Sequence, residues 1–205
     1  VNAHVVQTKA GTNYLTEQEE KTLFAHLKRL KDWQAERDFA LLKLTRLLGL
    51  RRVEALRLNV GDVMGKTSLV IDERIAAKGG TGTLPIPVEL QEILKRYLRL
   101  KRQRGESLAD EAPLFVSRRG RRLSVRAFND LVAKWCAEAG IAPITPHGLR
   151  HTKAQRIIHD TRYLTDEERA RALQFANRQL RHRSMNATLI YTAPTKEEMA
   201  RVGAI

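Results

Sequence analysis

Apolar residues recur at helical spacing along most of this chain, and strand-like patterns are confined to one short stretch. Thr16 and Glu19 form a capping-box pair ahead of Leu23, Phe24, Leu27 and Leu30, which predicts a first helix over about 16–31. A second apolar series, Phe39, Ala40, Leu44, Leu47 and Leu48, runs into Gly49, a natural helix stop. A short third helix carrying Val53, Leu56 and Leu58 follows at once, so Arg51 falls at a helix junction. Between Ser68 and Pro87 the pattern changes. Two β-like runs, 68–72 and 83–86, flank the turn-rich stretch 78–82 and predict a small antiparallel hairpin with Lys78 beside its loop.

Helical spacing returns at Leu90, Ile93, Leu94, Tyr97 and Leu98, and again after Ser124 with Phe128, Leu131, Val132 and Trp135, stopping at Gly140. The loop between them, Arg118 to Arg122, is basic. After Pro146 the chain reads as helical over about 147–159. A capping box at Thr165 and Glu168 opens another helix to about 180, and a short helix is expected near Met185 to Tyr191. A last capping pair, Thr195 and Glu198, begins a tail whose Met199, Val202 and Ile205 form an apolar stripe. The fold class expected is mainly α with a small antiparallel β-sheet. Residues 1–15 are an unpatterned segment or linker, and 16–205 form one domain.

Composition narrows the partners. The 205 residues carry 37 Lys and Arg against 23 Asp and Glu, a formal net charge of +14, which attracts polyanions and puts nucleic acid ahead of acidic lipid. No apolar run approaches the roughly 18 residues of a membrane span. The single cysteine, Cys136, excludes an intramolecular disulfide, suits a reducing cytoplasmic setting, and on its helix face reads as core filler. The chain opens on Val1, as a trimmed or excerpted sequence would.

Six positions can carry chemistry: Arg51, Lys78, His147, Arg150, His182 and Tyr191. Taken singly, each has a plain structural reading. Arg51 would be an ion-pairing group, Lys78 a solvated hairpin residue, and His147 the start of a helix. Arg150 and His182 would be further basic surface, and Tyr191 a core ring with its hydroxyl at the edge. Other motifs fail on detail. Lys78 precedes its glycines, whereas a P-loop ends in Gly-Lys-Ser/Thr, and Gly148 stands between His147 and His151 where a helical zinc pair needs a catalytic glutamate.

In order, spacing and context the six resemble the catalytic domain of the tyrosine recombinases, or phage-type integrases. The block from His147 to Thr152 and the step from His182 to Tyr191 are the most specific pieces. Metal-free cleavage of a phosphodiester requires a nucleophile, neutralisation of charge on the phosphate and a proton for the departing oxygen. Tyrosine, with an ordinary pKa near 10, needs a base or a strong positive potential in order to attack. Two guanidiniums can hold the non-bridging oxygens while remaining charged. The resemblance implies Tyr191 as nucleophile, Arg51 and Arg150 on the phosphate, His147 as proton acceptor, His182 as hydrogen-bond donor and Lys78 as general acid. It also implies site-specific recombination or integration through a 3′-phosphotyrosyl intermediate, with no cofactor. The implied partner is double-stranded DNA, bound by a homo-tetramer on synapsed duplexes with accessory DNA-bending proteins, in the cytoplasm at the nucleoid. Two rival readings are type IB topoisomerase-like relaxation and a non-catalytic basic DNA-binding module.

The sequence departs from the family in a few places. The family usually carries an N-terminal helical domain, where this sequence has about fifteen unpatterned residues before its first helix, and a charged helix lengthens the stretch between Arg150 and His182. Arg181 replaces the glycine that usually precedes the histidine, at a position where a left-handed backbone makes other residues costly, and Ala77 replaces a glycine before Lys78.

Overall fold

The computed structural model describes residues 13–77, 80–159 and 165–181. Helices α1 (Glu17–Arg29), α2 (Trp33–Leu48) and α3 (Arg52–Arg57) are followed by a 3-10 turn at Val60–Asp62. Strands β1 (Ser68–Ile71) and β2 (Gly82–Pro85) come next, then α4 (Val88–Gln103), α5 (Val125–Glu138), α6 (Pro146–His159) and α7 (Asp166–Leu180). The strands pair antiparallel with Ser68 opposite Pro85 and Ile71 opposite Gly82. The expected class, mainly α with a small antiparallel sheet, is what the chain forms.

The chain divides into two compact units, Val1–Lys153 and Ala154–Ile205, with the division inside α6. In the first, α2 is the central element. It is buried nearly all round, from Ala35 to Leu48, because α1, α3 and α4 all pack on it. Its apolar positions join Leu23 and Leu27 of α1, Leu90 and Leu94 of α4, and Phe128 and Trp135 of α5 in one core, which also takes in Cys136 as filler. Burial on every side also encloses polar residues, and these are paired. Arg37 donates to Asp38 at 2.7 Å and to the Val116 carbonyl at 2.9 Å, and the Trp135 indole N–H donates to Asp38 at 2.9 Å. Burial raises the Asp38 pKa despite those partners.

Local chemistry sets the helix ends. Thr16 and Glu19 cap α1 reciprocally, and Asp32 caps α2 through the Gln34 and Ala35 amides. Gly49 closes α2 in a left-handed conformation, φ 63°. In the second unit, α7 opens on the Thr165 and Glu168 capping box and closes on Arg181, the one described non-glycine residue at positive φ (50°). The basic loop read at 118–122 is a tight turn closed by a bridge between Val116 and Arg122. Among the described residues no helix is long and apolar enough to cross a membrane. The expected elements near Met185–Tyr191 and after Thr195 lie outside the described residues.

Candidate active site

The end of α2 and the start of α3 are a single corner. After Gly49 the fully buried Leu50 anchors the chain in the core, and Arg51 follows as the cap residue of α3, extended at φ −70° and ψ 148°. Glu54, one turn in, is completely buried and reaches back to this corner. It accepts from the Arg51 backbone N–H at 2.8 Å and from the Arg51 guanidinium at 3.1 Å, and the Ala77 backbone N–H approaches it at 3.4 Å. One carboxylate thus ties together Arg51 and the residue beside Lys78. Glu54 was given no role in the sequence reading, although an acid three residues after a helix cap is the spacing of a capping box.

Arg150 approaches the same corner from α6. Its side chain is buried, and its guanidinium donates to the Gly49 carbonyl, one of the acceptors left open at the end of α2. The first turn of α6 presents His147. Thr145 caps that turn by accepting from the Gly148 N–H at 3.3 Å, and Pro146 occupies the first helical position, where no N–H is needed. Asn13 and Leu15, in the segment read as unpatterned, are strapped to this helix. Asn13 bonds Thr145, and the Leu15 N–H donates to the Thr152 hydroxyl at 2.9 Å. A Cβ at Gly148 would sit 2.9 Å from the Asn13 carbonyl oxygen, so close approach of two backbones requires a glycine there.

Arg51, Arg52, Ala77, Asn129, Ala133 and His147 line one cleft of about 850 Å³ between α3, α5 and the α6 entry. Burial holds the His147 pKa below the ordinary histidine range, and the positive charges of Arg150, Arg51 and Arg52 depress it further. The His151 ring stands edge-on to it at 4.2 Å, with its own pKa pushed down to about 4 by burial, then by His147 and Arg150. At neutral pH the cleft therefore offers an uncharged imidazole beside permanent cations. Such a site can hold an anion and accept a proton.

Of the six positions singled out from sequence, the structure brings Arg51 and His147 into one cleft and sets Arg150 near enough to act on His147. Lys78, His182 and Tyr191 lie outside the described residues.

A family model described as the phage integrase family matches residues 13–198. The chain belongs to that family. The phage integrase chain is 32% identical over 162 residues to the tyrosine recombinase XerC of Thermodesulfovibrio yellowstonii, a match covering 77% of this chain and 50% of the relative. It is 33% identical over 177 residues to the tyrosine recombinase XerD of Xanthomonas axonopodis pv. citri, covering 82% of this chain and 54% of that one. It thus spans about half the length of these curated relatives. Among solved structures, the XerA recombinase superposes with a TM-score of 0.71 at 24% identity, covering 96% of this chain and 64% of that one. The XerH recombinase in a pre-cleavage complex with its difH substrate gives 0.69 at 20% identity, covering 94% and 54%. The family and the fold expected from sequence are both borne out.

Proposed function

We propose that this phage integrase chain is the catalytic part of a site-specific DNA recombinase that cuts and rejoins strands through Tyr191. The observation that carries the reading is the cleft where Arg51 and an uncharged His147 meet, with Arg150 fixed behind them. In the proposed step, Arg51 and Arg150 hold the non-bridging oxygens of the scissile phosphate. The Tyr191 oxygen gives its proton to His147 and attacks phosphorus. The bond to the 5′ oxygen breaks, and that oxygen takes a proton from Lys78, leaving a 3′-phosphotyrosyl link and a free 5′ hydroxyl. His182 donates a further hydrogen bond to the phosphate. The ester conserves the bond energy, so a second DNA hydroxyl reverses the step and joins new partners.

Several features support the reading. The family match extends past Tyr191, curated relatives bear recombinase names, and the net charge of +14 suits a DNA partner. Synapsis by a tetramer on two duplexes, with DNA-bending proteins assisting at the nucleoid, belongs to the same proposal.

The test is covalent trapping. Incubation with a pool of nicked duplexes of randomised core sequence should give a protein–DNA adduct that survives denaturant, and Tyr191→Phe should give none. An adduct undiminished in Tyr191→Phe would move the nucleophile elsewhere. No adduct from either protein would leave only DNA binding.

A further inference from the structure

The basic turn after α4 is built more firmly than a solvated loop requires. The Ser117 N–H donates to the Arg121 carbonyl at 2.8 Å, the Gly120 N–H donates to the Ser117 carbonyl at 3.0 Å, and Gly120 takes the left-handed conformation the turn needs, φ 72°. Arg122 then bolts the turn to the far end of α3. Its guanidinium donates to the Leu56 and Leu58 carbonyls, both at 2.8 Å, and to the Asn59 side-chain oxygen at 2.6 Å. Arg74 covers the intervening Arg57 carbonyl at 3.0 Å. One arginine is thus spent entirely on fixing the turn, and it does so on the helix that Arg51 caps.

The other three arginines, Arg118, Arg119 and Arg121, are exposed, and among the described residues no acidic side chain pairs with any of them. Immediately beyond, Ser124 starts α5, which carries Asn129 and Ala133 along the wall of the cleft. Three exposed guanidiniums on a rigid support, next in the chain to a helix that lines the cleft, match a run of phosphates.

We infer that the Arg118–Arg121 turn is a phosphate clamp that sets the register of a DNA strand relative to Arg51. The clamp grips the backbone to one side of the phosphate held at Arg51. Its role is to bind and position, outside the bond-breaking step. This inference rests on the DNA-recombinase reading.

The experiment compares the full chain with R118A/R119A/R121A and with K95A/R99A/R102A, which removes the same charge from the exposed face of α4. Anisotropy with a mixed-sequence duplex across a salt series gives the slope of log K against log salt, about 0.9 per phosphate contact. The turn variant should lose about 2 to 3 from the slope and the α4 variant less than about 1. In adduct formation the turn variant should need more DNA for half-saturation and reach the parental rate at saturation. Equal slope losses in both variants would assign binding to the overall field and overturn the clamp. So would an unchanged slope in the turn variant, or a rate at saturation reduced about 100-fold, which would place the arginines in the chemistry. Adduct formation by the parent protein alongside an intact slope in the turn variant would sink the clamp and leave the recombinase reading standing. A parent that neither binds DNA nor forms an adduct would sink both.

Discussion

The two flanks of the cleft are held in opposite ways. On the α3 flank a permanent cation is balanced by a buried carboxylate: Glu54, fully enclosed, accepts from the Arg51 guanidinium, from the Arg51 backbone N–H and from the Ala77 backbone N–H. On the α6 flank two imidazoles, His147 and His151, stand edge-on and are kept uncharged by burial and by the arginines around them. The contrast follows from the work each flank has to do. Holding an anion calls for charge that does not titrate, while moving a proton calls for a group that is empty at neutral pH. The arginines serve both ends, since the field that would bind a phosphate also depresses the His147 pKa.

Breaking the α3 flank should have the larger effect. Glu54→Gln keeps the shape and removes the charge, so the Arg51–Glu54 ion pair is lost. Losing a buried charge-assisted contact should cost about 2–3 kcal/mol, read as a lower urea midpoint with the slope unchanged. A change below about 0.5 kcal/mol would mean that the pair is worth no more than a surface contact and that Arg51 is held by other groups.

The α6 flank can be broken through its backbone. At Gly148 an added methyl would meet Asn13 Oδ1 at 2.8 Å and the Asn13 carbonyl oxygen at 2.9 Å. Gly148→Ala must push residues 13–15 off the helix and should cost about 1–3 kcal/mol, a range that begins below that of the Glu54 change. Amide exchange at Leu15, whose N–H is tied to Thr152, should quicken in parallel. Unchanged exchange together with full stability would show that the strap can move aside without loss.

How far each flank was legible differs for physical reasons. The helices, the hairpin and Arg51 at a junction could be read because periodicity, capping boxes and Gly49 are local signals, and each appears where it was expected. Arg51 and His147 lie almost a hundred residues apart, and no local signal reports their meeting in one cleft. The resemblance to a family supplied that. Glu54 sat in view three residues after Arg51. Its second bond, from Ala77, depends on where the hairpin returns and could not be read from spacing. Asn13 and Leu15 were passed over because a strap held by two or three side-chain hydrogen bonds has no periodicity. Arg122 looked like one more charge in a basic loop, since its targets are backbone carbonyls of a distant helix. Arg181 is the instructive departure. Its sequence position called for a glycine, and the backbone is indeed left-handed there, as at Gly49, so the arginine bears a conformational cost of about 1–2 kcal/mol that glycine would not.

The smallest effect separates the flanks by acid. The folded-state pKa of His151 lies near 4, against about 6.5 in the unfolded chain. Between those values the unfolded state binds more protons, so the stability His151 contributes is complete above about pH 6.5 and is lost as pH falls toward 4. Asp38 has the opposite sign. Its raised pKa lets the folded state hold a proton that the unfolded chain releases, so over its window acidification favours the fold. Replacing His151 with asparagine should therefore flatten the fall in urea midpoint between pH 6.5 and 4 by on the order of 1 kcal/mol, after allowance for the partly solvated ring, while stability at pH 8 changes little. An acid limb as steep in His151→Asn as in the parent would assign the loss to other groups. The distinction between a flank that titrates and one that does not would then rest on His147 alone.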